Sequence, residues 1–429
     1  MKVVHLSYYA GKGGAWTAID GLNRQLQRHG VDSRILCAAR VGSFDDRTDI
    51  ATPDRFPLRH AILRRFPHLP EYPIAPWVRG RWNNPPIFSN WIPRFDVANH
   101  PWIREADVVH VQWIIFGLAT PEQLPKLNKP LLISLLDYWP LSGGCGYTYG
   151  CEKYRTGCGA CPLMQSSLPW DPSRWNWHRK RRVYQKARPT FVTLSRQMAR
   201  DAESSPIIAG NRVVTIPTGI DTETFAPADR LESCGILKLP PDLPIILMGA
   251  QNPAEKRKGF DLLLEAVHHL HAERGPTFGL AVYGTTTEIP WKEIPVPSFD
   301  LGRLETPLRK HAYRAATVFA APSREENFAS TVLEALASGC PTVAFDIGGM
   351  PDAITDGEVG FLCKPYDTRQ LAAVLGRILD DPVERERLAT QARRRALDEY
   401  SLEVYARRYS ELYAALAAEC AGNVVSRAA

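Results

Sequence analysis

Apolar residues in this chain recur in two patterns, short continuous runs and a three-to-four spacing, and the two alternate along its length. Residues 2–9 are apolar and β-prone, Trp16, Ile19, Leu22, Asn23 and Leu26 follow a helical spacing within 15–29, Gly30 stops that helix, and 31–38 returns as a strand. The pattern predicts a βαβ opening whose short connections favour a parallel sheet. Further buried strands are predicted at 107–112, 131–135, 191–195 and 213–217. A second series starts with a strand at 244–249 and a helix at 260–273. It continues through strands at 280–283 and 317–321, a helix at 330–338, a strand at 342–345 and a helix at 368–379. The charged segment 382–419 reads as helical throughout, with a break near Tyr400 and Ser401. No repeat is evident beyond this alternation. Residues 45–100, rich in Pro, Arg and Trp, show no clean period and read as an irregular excursion, a candidate lid or acceptor surface. The expected architecture is two doubly wound α/β domains facing one another and joined near Thr218 and Gly219.

Composition agrees with this and adds limits. At 429 residues the chain exceeds one ordinary core, so two or three domains are expected. With 45% hydrophobic and 23% charged residues, there is enough apolar surface to keep most of it ordered. A net charge of +6 leaves room for an anionic partner without pointing to nucleic acid. No run of eighteen apolar residues exists, and residues 1–6 are too short an apolar stretch for a secretory leader. A cytoplasmic location follows, and there nine cysteines are more readily thiols or metal ligands than disulfides.

The chemistry concentrates in residues 321–341. A strand ends at Pro322, a loop carries Glu326, and a helix begins near Ser330, a plausible N-cap, with Glu334 in its early turns. Ligands of open α/β sheets sit beyond the carboxyl ends of the strands, and a helix N-terminus there suits a diphosphate. Glu326 and Glu334 can each accept hydrogen bonds from sugar hydroxyls; the plainer alternative is a pair of surface glutamates. The glycine loop Gly11-Lys12-Gly13-Gly14 permits close backbone approach to a ligand. It is neither a Walker A loop nor a full G-x-G-x-x-G, which argues against a nicotinamide enzyme.

The stretch around Glu326 and Glu334 resembles the retaining glycosyltransferases of family 4, and three further segments match in order. Ile216-Pro217-Thr218-Gly219-Ile220-Asp221-Thr222-Glu223-Thr224-Phe225 resembles the family's interdomain segment, with Thr218 where Asn is commoner. Lys256-Arg257-Lys258-Gly259 and its continuation to Ala266 resemble its lysine-glycine motif, and Gly348-Gly349-Met350-Pro351-Asp352 followed by 356–362 resembles its closing donor loop. The resemblance implies the α/β GT-B fold, two facing Rossmann-like domains with a cleft between them and a C-terminal helix crossing back. The expected divisions are 1–218 for the acceptor side, 219–398 for the donor side and 399–429 for the helical crossover. Lys258 would neutralise the donor diphosphate, Glu334 bind the ribose, and Glu326 hold the transferred sugar, assisted by backbone N–H groups near Asn327 and Phe328. Gly13 and Gly14 would approach the donor from the first domain. The family's arginine after the first donor-domain strand is replaced by Ala250-Gln251, which leaves Arg257 or Lys256 to substitute. No protein nucleophile and no catalytic metal are expected: the donor phosphate itself can take the acceptor proton while Lys258 and the helix N-terminus stabilise its charge. Where the subgroup often carries His-Asp, this chain has Leu136-Asp137, so Asp137 is the remaining polar candidate on the acceptor side, or a turn-capping aspartate.

Two segments extend the reading. Cys145, Cys151, Cys158 and Cys161, within 143–162, fit a tetrahedral thiolate site, most simply structural zinc, with an iron–sulfur cluster or two disulfides as alternatives. The same insertion resembles one in bacterial exopolysaccharide and O-antigen enzymes. Residues 173–188 mix bases with tryptophans, which suits either contact with an anionic membrane face or a solvated helix. The expected reaction moves a sugar from a UDP-, GDP- or dTDP-sugar to a glycan or polyprenyl-diphosphate-linked acceptor for a bacterial surface polysaccharide, at the inner face of the plasma membrane. A natural-product tailoring transferase and a non-catalytic sugar-nucleotide-binding protein are the alternatives; no nucleic acid partner is expected.

Overall fold

The computed structural model describes residues 1–11, 13–40, 46–51, 95–114 and 118–428. Thirteen described strands form two sheets, each parallel throughout. The first holds β1 (Lys2–Ala10), β2 (Asp32–Arg40), β3 (Thr48–Ile50), β4 (Val108–Trp113), β5 (Leu131–Leu135), β6 (Thr190–Thr193) and β7 (Val213–Thr215), in the order β3-β2-β1-β4-β5-β6-β7. The second holds β8 (Ile245–Gly249), β9 (Gly279–Tyr283), β10 (Ser298–Gly302), β11 (Val318–Ala321), β12 (Thr342–Phe345) and β13 (Gly360–Cys363), in the order β10-β9-β8-β11-β12-β13. In both, the chain grows outward from one central strand and then reverses. That reversal places a topological switch point between β1 and β4 and another between β8 and β11, where the loops leaving the strands separate and open a crevice.

The central strands are apolar because both faces are covered. β5, β6, β8, β9, β11 and β12 are buried at every position, as parallel sheets with helices on both faces require. The chain divides into two compact units, 1–217 with 406–429, and 218–405. A gap separates the helices Pro382–Tyr400 and Leu402–Ala428 at Ser401, at the break expected from sequence. There Ile220 bridges Ser401, its N–H donating to the Tyr400 carbonyl and its carbonyl accepting from Leu402. From Ala406 the last helix belongs to the first unit. Its Tyr413 hydroxyl lies 2.6 Å from Nδ1 of His110, whose Nε2 is 2.7 Å from the Ser134 hydroxyl. Burial holds His110 well below the ordinary histidine range and His5 down at about 3, so this buried network is uncharged.

The expected excursion at 45–100 falls mostly outside the described residues. No helix among the described residues is long and apolar enough to cross a membrane.

Candidate donor site

The second switch point gathers three of the sequence motifs around one loop. That loop leaves β11 at Pro322 and runs to the helix Ser330–Ala337. The neighbouring loop leaves β8 and ends in the turn Lys256–Lys258, closed by Gly259 at φ 74°. A Cβ on Gly259 would lie 2.0 Å from the Pro322 carbonyl, so only glycine lets the two loops touch. The Arg324 N–H then donates to the Arg257 carbonyl at 2.7 Å. From the other side Gly348, at φ 51°, packs so closely that a Cβ would stand 1.9 Å from the Glu326 carbonyl, and the Gly349 N–H donates to that same oxygen at 3.2 Å.

These contacts aim the Glu326 side chain at two cations. Lys258 Nζ lies 2.5 Å from Oε2 of Glu326, and Arg257 Nη1 lies 3.3 Å from the same oxygen. Arg257 is buried, with its other guanidinium atoms on Glu255 and with Nη1 also donating to the Glu325 carbonyl at 3.1 Å. Its observed work is therefore to hold the Glu326 loop. Burial pushes the Glu326 carboxyl up, but Lys258 and Arg257 outweigh it and hold the group below its usual range. Asn327 and Phe328 follow, both buried, and Phe328 meets the Tyr400 ring edge-on at 5.7 Å. Ser330 is the first residue of its helix rather than the cap. Ala329 takes the cap position and has no side chain that could cap the end.

Glu334 lies on the same helix in a separate network. Arg309 grips it with a fork, Nε to Oε2 at 2.9 Å and Nη2 to Oε1 at 2.8 Å. The Tyr313 hydroxyl donates to Oε2 at 2.8 Å, with the Tyr283 hydroxyl 2.6 Å behind it. Burial raises the Glu334 carboxyl, and Arg309 and Tyr313 recover only part of that rise. Arg309, Tyr313 and Tyr283 were not anticipated from sequence. Their signals were an i,i+4 pair on one helix face and an aromatic at the end of β9. The interdomain segment supports this side: Phe225 packs edge-on against Tyr313 at 6.0 Å, and the Arg309 guanidinium lies over the Phe225 ring.

The remaining expected residues lie in the first unit. Gly13 and Gly14 open the helix Gly13–Arg28 after β1; Lys12 is outside the described residues. Asp137 follows β5 and is buried, accepting from the Trp139 N–H at 2.8 Å and from the Trp113 indole at 3.2 Å. Burial raises its carboxyl to about 6. The turn it caps is anchored by Lys180, a fully buried amine that donates to the Trp139 and Ser142 carbonyls and sits over the Trp139 ring. Lys180 belongs to the helix Pro172–Ala187, so the basic segment is only in part a surface. Trp175 is exposed on that helix, as is Trp170 just before it, while Asn176, Trp177, Lys180 and Tyr184 face inward.

The expected metal centre is not assembled. Cys145, Cys151, Cys158 and Cys161 line one small cavity together with Lys153 and Tyr154. All four are free thiols, and among the described residues no group of three or more His, Cys, Asp or Glu is placed to hold a metal ion. Burial pushes the Cys145 and Cys158 thiols up to about 12. Hydrogen bonds pin the loop instead: the Cys161 N–H to Asp171, the Gly159 N–H to the Ser173 hydroxyl and Lys153 to the Ala160 carbonyl.

Comparison with known proteins places this geometry in context. The chain is 36% identical over 194 residues to the D-inositol 3-phosphate glycosyltransferase of Thermobifida fusca, covering 42% of this chain and 44% of that one. It is 30% identical over 240 residues to the MMP alpha-(1->4)-mannosyltransferase of Mycolicibacterium hassiacum, covering 52% and 54%. The chain thus spans about half the length of the curated relatives it matches. Among solved structures, sucrose-phosphate synthase of Thermosynechococcus elongatus superposes with a TM-score of 0.67 at 19% identity, covering 98% of this chain and all of the other. Anabaena Alr3699/HepE in complex with UDP gives 0.64 at 16% identity, covering 97% and 100%. These likenesses establish the GT-B fold. Residues 12–224 match the model of Glycosyltransferase Family 4 and residues 235–395 that of Glycosyl transferases group 1. A glycosyltransferase model thus matches on each half of the chain, over the two α/β units of the GT-B fold.

Proposed function

We propose that this chain is a retaining glycosyltransferase that takes a sugar from a nucleoside-diphosphate sugar, with the donor held at the β8–β11 switch point. The observation that carries the reading is the Lys258–Glu326 contact beside Arg257, set before a helix whose cap position is Ala329. Lys258 turns toward the donor diphosphate, and the helix N-terminus shares that charge. Glu326 accepts from hydroxyls of the transferred sugar, the N–H groups at Asn327 and Phe328 assist, and Glu334 accepts from the ribose. Arg257 acts through Glu326, as its buried position suits. In the reaction the bond from the sugar C1 to the diphosphate oxygen breaks and a bond from C1 to the acceptor oxygen forms on the same face. The departing phosphate oxygen takes the acceptor proton, and the nucleoside diphosphate leaves. Binding the reactants in register supplies much of the rate, and preorganised cations supply the rest.

The complexes of a like-folded protein with UDP and with UDP-glucose support a nucleotide-sugar donor. Gly13 and Gly14, at the first unit's switch point, approach the donor or acceptor through backbone, and Asp137 is the acceptor-side polar group. The acceptor we favour is a glycan or lipid-linked intermediate of a bacterial surface polysaccharide, met on the cytoplasmic membrane face. The exposed Trp170 and Trp175 beside Arg174 and Arg179 suit that face. Incubation with UDP-, GDP- and dTDP-sugars tests the reading through slow donor hydrolysis, expected with one donor and lost in Lys258→Ala. Saturable donor binding with neither hydrolysis nor transfer to any acceptor would overturn it in favour of a non-catalytic binding protein.

A further inference from the structure

Glu334 is the donor-site carboxylate with the most completely specified surroundings, and Arg309 is what specifies them. A carboxylate offers about four acceptor positions, two on each oxygen. Oε2 receives both Arg309 Nε and the Tyr313 hydroxyl, while Oε1 receives Arg309 Nη2 alone. Because an ionised carboxylate only accepts, Tyr313 must donate to it, and Tyr283 must then donate to Tyr313. The proton arrangement has one solution.

The surroundings keep it so. Arg309 and Tyr313 lie one helical turn apart on the helix Thr306–Ala315. Tyr283 is seated against Gly249, at the end of β8, where a Cβ would stand 1.8 Å from its ring. The Arg309 side chain is partly exposed, while that of Glu334 is buried.

We infer that Arg309 is a positioning residue for donor recognition: its fork orients the Glu334 carboxylate so that Oε1 alone is left to accept a hydrogen bond from one ribose hydroxyl. This rests on the donor-site reading above. The fork also has an electrostatic consequence. Burial already raises the Glu334 carboxyl, and Arg309 is the strongest group holding it down. A protonated Glu334 would present a donor where the ribose needs an acceptor.

The test uses the full chain with UDP, 2′-deoxy-UDP and 3′-deoxy-UDP, or the GDP series if the wild type binds GDP instead. The wild type should lose affinity with one deoxy analogue and not with the other. Arg309→Met should weaken binding of the ribonucleotide about tenfold, the loss expected for a charge-assisted bond. It should also bring the ribo and deoxy affinities together. Donor KM should rise with kcat little changed, and its acidic limb should move to higher pH than in the wild type. Arg309→Lys should restore part of the affinity. Tyr313→Phe removes one neutral hydrogen bond with little threat to folding, and should shift the ribo-to-deoxy ratio in the same direction by a smaller factor. If Arg309→Met and Tyr313→Phe both keep the wild-type ratio while Glu334→Gln loses it, Arg309 is merely structural and the inference fails. If Glu334→Gln itself binds all three nucleotides like the wild type, the ribose assignment beneath the inference is what fails.

Discussion

Replacing Glu326 by Gln isolates the charge at the centre of the candidate donor site while keeping its shape. In the wild type one carboxylate oxygen faces Lys258 at 2.5 Å and Arg257 at 3.3 Å, and Glu326 and Arg257 are both buried. At an effective dielectric near 20, an ion pair at such distances is worth roughly 5 kcal/mol before desolvation is charged against it. Deleting one partner of a buried pair costs about 3–5 kcal/mol, because a charge is left without its counterpart. Gln retains an acceptor for Lys258, so the lower end, about 3 kcal/mol, is the expected loss at pH 7. The sign of its pH dependence follows from the lowered carboxyl. A depressed acid contributes stability that is fully present above its unfolded value of 4.5 and is lost as pH falls through the folded value. Urea unfolding of wild type and Glu326→Gln should therefore differ by the full amount at pH 7, and the gap should close as pH drops below about 4.5. On the donor-site reading, UDP should bind the variant at least as tightly as the wild type, since Lys258 is no longer claimed by a carboxylate, while turnover collapses. A variant as stable as wild type at pH 7, or a gap that ignores pH, would refute the reasoning.

Three further outcomes follow from separate features. Gly348→Ala forces a Cβ to 1.9 Å from the Glu326 carbonyl at a positive φ, so unfolding experiments should show a loss of about 1–3 kcal/mol and donor KM should rise; an unchanged protein would mean the two loops are not so tightly apposed. Asp137, raised from 3.8 to about 6, is a buried acid that costs stability once ionised. The stability of wild type relative to Asp137→Asn should therefore fall by up to roughly 3 kcal/mol as pH rises from about 4 to about 6 and then level off; a flat difference would contradict the burial argument. A thiol reagent should count nine cysteines in the unreduced, denatured chain, and Cys145 and Cys158 should react slowly in the native one. A count lower by two would mean a disulfide, and metal released on denaturation would mean the cavity binds a cation after all.

Why some of the architecture could be read from sequence follows from where each strand sits. β5 and β12 were placed to the residue and most other central strands to within one or two, because strands buried on both faces appear as unbroken apolar runs. The strands that escaped notice, β3, β10 and β13, are all at sheet edges. β3 and β10 are half exposed, with Asp49 and Asp300 in their interiors, so the apolar signal is diluted. For a related reason the helix Thr306–Ala315 was not placed, and Pro172–Ala187 was read only as either a membrane-contacting segment or a solvated helix. Each buries polar or aromatic residues, Lys180 and Asn176 in one and Tyr313 in the other, instead of an aliphatic stripe.

The same physics divides the candidate site. Glu326 and Lys258 were singled out from a loop between strand and helix and from a resemblance to a family motif, and the structure brings the two together. Their loops need glycines at fixed places, Gly259 under Pro322 and Gly348 under Glu326, and such backbone demands leave a local mark in the sequence. Arg309 leaves no such mark. Its value lies in a fork onto a carboxylate 25 residues away, and only the packing of two helices against β11 brings the pair together. The cysteines show the converse case. Their spacing is local and conspicuous, but a ligand set requires thiolates converging on a point, and among the described residues no such group is placed; Asp171, Ser173 and Lys180 hold the loop by hydrogen bonds. Spacing along the chain is thus a reliable guide where the backbone is the constraint. It fails where side chains from distant elements must agree on one geometry, which is why Glu334 could be named from sequence but its partner could not.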